Sequence, residues 1–300
     1  MVERRSFPRD GGLIMATKLV RYESVSAIRA MVGLPCKRQH HAEQIKNYCE
    51  STYDRENWHG MNGGAVAVMS AMLVGFPEGE AKIDAMQSHM VGKLPKAVGI
   101  GRKLVRGMSG DELDIHAINR GDISRAWSSR QRLIRKGISA LKVIVDIAGN
   151  SNSSHDVLQW RGIAGVTLSE IMTKAGYSTE IVAAWSVRNY LDNSRGNPIV
   201  GIECVVKARG VTADRGLLAA TLCLTGFFRT VGFAAIARAA DDEDKRCDTS
   251  LGNHVDAERV IPAVTGVTNI YVPASICDEA SAVEWIKSTV ELLQSIKGVK

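Results

Sequence analysis

The sequence predicts an α/β protein: a mostly parallel sheet with helices on both faces, preceded by a mainly helical N-terminal region. Three observations carry this expectation. From Lys142 to Gly176 an apolar β-branched run (Val143, Ile144, Val145) ends at Asp146, passes through small polar residues and enters an amphipathic helix. From Ser139 onward, strand-like and helix-like segments alternate, the pattern of parallel strands joined by crossover helices. Before Ser139 the periodicity is weaker and mostly helical. The expected organisation is a loose N-terminus over 1–18, a mixed, mainly helical region over 19–138, and an α/β domain over 139–300.

The first segment, MVERRSFPRDGG, is charged and then turn-rich, without the apolar stretch of a signal peptide, and Met15 offers a second start. Asn57 to Gly60 and the Gly63-Gly64 pair mark a turn. A helix is expected from Ala65 to Leu73, stopped by the Gly- and Pro-bearing Gly75 to Gly79. Another follows from Ala81 to Met90. Asp114 to Ile118 reads as a short strand, and Asp122 caps a helix running through Trp127.

In the second half, Leu141 to Ile147 is an apolar strand interrupted only by Lys142 and Asp146, as expected when both faces are covered. Ser154 caps a helix over Asp156–Ala175, with Trp160, Ala164, Leu168, Ile171 and Ala175 at helical spacing. Gly176 ends it. Strands follow at Thr179–Trp185 and Ile199–Ala208, with a turn at Asp192–Pro198 between them. A long helical region spans Ala213 to Ala239, with Gly226 and Gly232 as breaks, and leads to an acidic loop over Asp241–Lys245. A strand at Thr268–Val272 and a helix at Asp278–Ile296, with Ala282, Trp285, Val290 and Leu293 as its buried stripe, complete the chain.

Composition excludes several classes. A hydrophobic share of 45% with 23% charged residues is that of an ordered globular chain, not a disordered one. The longest apolar run, Gly216 to Phe228, is short of the roughly 20 residues a membrane span needs, so it reads as a buried helix. Six scattered cysteines without a C-x-x-C pair read as reduced thiols in a cytoplasmic protein. The adjacent His40 and His41 read as surface residues, and Trp58, Trp160 and Trp185 as core. The net charge of +6 matters less than its clustering, in basic stretches at 93–106 and 125–142. A solvated surface accounts for such runs; contact with phosphates is the alternative.

The loop after Asp146 is where chemistry is expected, because α/β proteins bind ligands at the carboxyl ends of parallel strands. An Asp followed by hydroxyl-bearing residues suits a hard cation such as magnesium. Here the segment resembles the von Willebrand factor A-like fold, whose metal-ion-dependent adhesion site begins Asp-x-Ser-x-Ser at a strand end. The resemblance covers about 140 to 300 and implies Asp146 as the carboxylate ligand. Ala148 and Asn150 stand where the motif has its serines, so the site is degenerate. Ser151 and Ser153 lie nearby, and Thr212, with Asp214 beside it, stands for the family's later threonine. The implied metal set is Asp146, Ser151, Ser153 and Thr212. The wider chain, through NWHG, GFPEG, LDIHAINRGD and TGFFRTVGF, is similar to an uncharacterised family of phage and prophage proteins.

The resulting expectation is a non-enzymatic interaction or assembly module with no bound cofactor. It would bind a protein partner or itself through Asp146, Asn150, Ser151, Ser153, Thr212 and Asp214, and magnesium remains the candidate ion. A nucleic-acid-associated protein using the two basic stretches is the alternative. A hydrolase is a third reading, since Gly149 to Ser153 approaches the Gly-x-Ser-x-Gly elbow. Its His254 and Asp256, however, follow in the wrong order. A contact role for Phe227 and Phe228 would require them to be exposed.

Overall fold

A computed structural model describes residues 3–9, 12–52, 56–90, 102–107, 112–113, 115–122, 124, 126–132, 140–149, 153–188, 199–212, 214–247, 253–262, 264 and 266–298. Its main sheet is built on β2 (Gly12–Tyr22), β8 (Ile199–Lys207), β7 (Ser178–Arg188), β6 (Ala140–Asp146) and β10 (Val267–Val272), side by side in that order. Three of the four pairings are parallel; only β7 with β8 is antiparallel. β1 (Glu3–Arg9) adds an antiparallel edge beside β2, and the short β9 (Asn253–His254) pairs with the end of β7. The fold is thus α/β with a mostly parallel, Rossmann-like sheet.

Strand alternation sorts the faces. Leu141, Val143 and Val145 point into the main core, whereas Ile144 belongs to a smaller cluster with Val182, Ala184, Val205, Ala257 and Ile261. Helices α1 (Val25–Val32), α7 (His155–Lys174), α8 (Arg215–Leu218) and α10 (Phe233–Asp242) meet the sheet on the main-core side. Among the described residues the other face is covered by the chain at 255–261, which includes a 3-10 turn at Ala257–Arg259. Every described α-helix that meets the sheet does so on the main-core side. An apolar strand run cannot distinguish a helix from a loop as its cover, and the other face is partly polar. Lys142 lies within 2.6 Å of Glu203, which also pairs with Arg21. Lys142 is thus a buried ion-pair member, not part of a basic surface stretch.

α7 is the crossover from β6 to β7, and local chemistry sets both its ends. The Ser154 hydroxyl accepts the Val157 N–H at 3.4 Å, satisfying one of the first-turn donors. Gly176 takes φ 92°, so that Gly176 N and Tyr177 N can close on Thr173 O and Met172 O. The helix is buried on nearly all sides, which small residues permit. A Cβ at Gly162 would stand 2.1 Å from Leu222 O, and one at Gly165 2.5 Å from Val145 Cγ2. On its outer side lie α5 (Pro77–Met90) and α11 (Glu279–Gly298).

The N-terminal region does not stand apart. Residues expected to be loose form β1 and β2, and β2 pairs with β8 from Thr17–Ile199 to Tyr22–Cys204. α2 (Gln39–Glu50) packs on α10, and one hydrophobic core runs from Val25 to Leu293. His41 is fully buried, its Nδ1 2.9 Å from Asp241 Oδ1. Asp241 also accepts the N–H groups of Lys37 and Arg38. The surface reading of His41 and the loop reading of Asp241 are both corrected. Two polar side chains far apart in sequence satisfy each other, which no local pattern reveals.

The long helical region is present but bent by 67° at Leu224, not at Gly226. Its pieces are α8, a π-helical turn at Ala219–Cys223, α9 (Thr225–Phe227), a second π turn at Phe228–Gly232, and α10. Phe227 and Phe228 are buried in it, so they offer no contact surface. No single described helix is long and apolar enough to cross a membrane. α4 (Gly64–Val74), β10 and α11 fall where expected and Trp185 is core, while α5 starts at Pro77, inside the expected stop, four residues before Ala81. Two short elements differ in kind. Ile115–Asn119 is helical (α6), and Trp127 opens a strand, β5 (Trp127–Arg132). Five residues cannot discriminate a period of 2 from one of 3.6. β5 lies between β3 (Arg102–Gly107) and β4 (Glu112–Leu113) in a separate antiparallel sheet.

Candidate functional site

Asp146 ends β6 at the carboxyl edge of the parallel strands, on the face away from α7. It is only 6% exposed. Its Oδ1 accepts the Ala148 N–H at 3.0 Å, and its Oδ2 accepts the Ala257 N–H at 2.8 Å. His254 Nε2 lies 3.2 Å from Oδ2 and 3.4 Å from Oδ1. The carboxylate therefore ties its own loop to the 253–257 segment. β9 brings His254 there by pairing with Val187.

Two guanidinium groups hold the loop on its other sides. Arg161, from α7, donates to Ala148 O at 2.9 Å and Ala274 O at 3.1 Å. Burial pushes its pKa below the ordinary value, with Asp146 and Asp256 opposing that shift. Arg229 donates to Ser153 O at 2.9 Å and to Trp58 O at 2.6 Å, and its guanidinium lies 4.2 Å from the Trp58 ring centroid. Burial lowers its pKa to about 10, so it remains a cation at neutral pH. The Thr225 hydroxyl reaches His155 O at 3.3 Å, at the start of α7.

These positions do not gather the expected metal set. β8 runs opposite to β6 and β7, and its end, Lys207, lies beside Ile181 near the start of β7. Thr212 follows that end, so it lies at the opposite edge of the sheet from Asp146, roughly a strand length of about 20 Å away. Thr212 is exposed there, and Asp214 caps α8 by accepting the Leu217 N–H at 3.1 Å. Arg215 beside it forks onto Glu170 and also reaches Asp84 and Gln87. Ser153 stays near Asp146 in the chain, but its carbonyl is taken by Arg229. Asn150 and Ser151 lie outside the described residues.

The described residues do not fit a magnesium ion. Both Asp146 oxygens already accept backbone N–H groups, and two buried guanidinium charges flank the loop where a dication would need anions. Of the residues in the hydrolase reading, His254 faces Asp146 and Asp256 is exposed, while Ser151 lies outside the described residues. Arg161, Arg229 and Thr225 are what sequence reasoning missed in this site, and His254 was considered only as a hydrolase histidine. The available signal was arginine on the buried stripes of α7 and the TGFFRTVGF segment, where an unpaired cation is costly.

Fold and site define an α/β protein with a Rossmann-like, mostly parallel sheet whose strand-end acid is locked into a structural joint. The chain belongs to the family described as Domain of unknown function (DUF7192), which it matches over residues 16–297. No curated protein matches it. No solved structure matches it either.

Proposed function

We propose that this chain is a non-enzymatic interaction or assembly module that binds a protein partner or a second copy of itself. On this reading it is a von Willebrand factor A-like protein of a phage-associated kind, whose adhesion site has become structural. The layout of strand, acid, polar loop and helix around Asp146 supports that assignment. Asp146 is buried and Thr212 and Asp214 lie at the other edge, so these three residues do not form one contact surface.

The observation that carries the proposal is α4. This helix, GAVAVMSAMLV, has no charged residue, yet it is not buried all round. Val66, Leu73 and Val74 lie along its outward face, Leu73 at 68% and Val74 at 79% exposure. A helix apolar on every side belongs in a core, so an outward apolar face marks a surface covered on association. The six free thiols support the expected reducing, cytoplasmic setting.

The test is the mass in solution from light scattering on a sizing column, for wild type and for Leu73→Glu with Val74→Glu. Wild type should self-associate, or capture a partner that the double variant releases, while thermal unfolding stays unchanged. A wild type that remains monomeric and loses no partner on the double substitution would sink the α4 reading.

A further inference from the structure

The turn that leads into α4 places the pair Asn62-Gly63 on the surface, and it is the one Asn-Gly pair in the sequence. Residues 60–63 belong to neither helix nor strand, and Asn62 and Gly63 are both exposed. The fold requires glycine at 63. Its φ is 93°, a left-handed value, and a Cβ there would stand 2.9 Å from Ala67 Cβ. Nothing comparable fixes Asn62. Among the described residues its side chain makes no hydrogen bond, and the Gly63 N–H has no acceptor. Gly63 takes the N-cap position without a side-chain cap, and the first turn of α4 holds no acidic residue.

An asparagine followed by glycine carries its own nucleophile, with no side chain shielding it. When the Gly63 nitrogen attacks Asn62 Cγ, a new N–Cγ bond closes a five-membered succinimide. The side-chain amide nitrogen leaves as ammonia, taking the proton that Gly63 N carried, and nothing is oxidised or reduced. Water then opens the ring. Cleavage of the N–Cγ bond gives aspartate, and cleavage of the backbone C–N bond gives isoaspartate, with the chain running through the former side chain. Ring closure requires the Asn62 backbone and side chain to rotate, and here no hydrogen bond has to break first. Asn47 and Asn269 differ on both counts. They lie within α2 and β10, whose backbone bonds hold them, and the bulky Tyr48 and Ile270 follow them.

We infer that Asn62 is a modification site, deamidated by the Gly63 nitrogen in the folded chain. The product carries a carboxylate just ahead of α4, where the helix dipole favours negative charge. α4 thereby gains the N-terminal charge that it lacks, and the fold is retained. The new charge stands four residues before the exposed Val66. Neither this chemistry nor the contact role of α4 depends on the other. Asn62 can deamidate with α4 uncovered, and α4 can bind a partner with Asn62 intact.

The experiment is prolonged incubation of the full chain in neutral and mildly alkaline buffer, folded and in urea, followed by mass mapping of the tryptic peptide over residues 56–82. Isoaspartate is read by methyl transfer from an isoaspartate-specific methyltransferase. The proteins are wild type and Asn62→Gln, whose longer side chain would have to close a six-membered ring. In folded wild type the peptide should exchange the mass of an amino group for that of a hydroxyl, as fast as in urea and faster in alkali. The chain should accept methyl groups, and its melting temperature should not fall. Peptides bearing Asn47 and Asn269 should keep their masses while the chain is folded, and Asn62→Gln should lose both signals. Fragmentation of the wild-type peptide locates the change at residue 62 or at Asn57, so the result stands even if the variant fails to fold. A folded chain whose peptide keeps its mass overturns the inference, whether or not the chain in urea changes. So does a change located at Asn57, or one that persists in Asn62→Gln.

Discussion

Asp146 joins three pieces of chain at once: its own loop through Ala148, the 257 turn through Ala257, and β9 through His254. Truncating it leaves two buried N–H donors and an imidazole without their acceptor, each costly in a site closed to water. Asp146→Ala should lower the unfolding free energy by about 2–4 kcal/mol in chemical denaturation. That loss should be the same with millimolar magnesium and with EDTA, and the wild-type melting temperature should not move between the two. Binding to the folded state alone would raise it, so a magnesium-dependent rise in the wild type would restore the adhesion-site reading. From sequence, Asp146 was recognisable as the strand-end acid. Its partners were not, because His254 and Ala257 arrive from more than a hundred residues away and Arg161 from a helix that reads as merely amphipathic. Thr212 shows the reverse error. Its local context, RGVTAD, matches a ligand-bearing loop, and only the direction of β8 sends it to the wrong edge.

The elements most legible in sequence were those whose signals are local. α7, α4, β10 and α11 each have caps, stops or a consistent apolar period within their own length, and their positions agree with it. α6 and β5 were misjudged because their segments are too short to show a period. The bend at Leu224 was placed two residues late. Gly226 is the weak helix former there, but it permits close approach to Val68 and His59 O and does not itself break the helix. Glycine acts in the same way on α7. Because a Cβ at Gly162 would overlap the Leu222 carbonyl, Gly162→Ala should push α7 from the π turn at 219–223 and cost about 3 kcal/mol. Gly33→Ala, whose nearest neighbour is 3.8 Å away at φ −83°, should change stability by less than about 1 kcal/mol. Equal effects from the two substitutions, measured by urea unfolding, would rule out tight α7 packing as the cause.

At the scale of the whole molecule, the two halves expected from sequence share one core. β2 supplies a strand beside β8, Val20 and Tyr22 pack on the main cluster, and α2 covers α10. Arg238 further donates to the carbonyls of Met31, Leu34 and Pro35 at the end of α1. A fragment of 139–300 should therefore fail to unfold cooperatively and should bind a hydrophobic dye, whereas 12–298 should show a single sharp transition. A sharp, dye-free transition for the short fragment would show that it is a domain in its own right. The sequence by itself determined the α/β class, the strand-to-helix crossover at Asp146 and most long elements, since periodicity, caps and turn residues act within a few neighbours. Only the tertiary structure decided which face the helices cover, that β8 runs against β7, that His41 is buried on Asp241, and that Asp146 is a joint and not an open ligand. Those outcomes depend on strand direction and on pairings across some two hundred residues, and no local pattern encodes either.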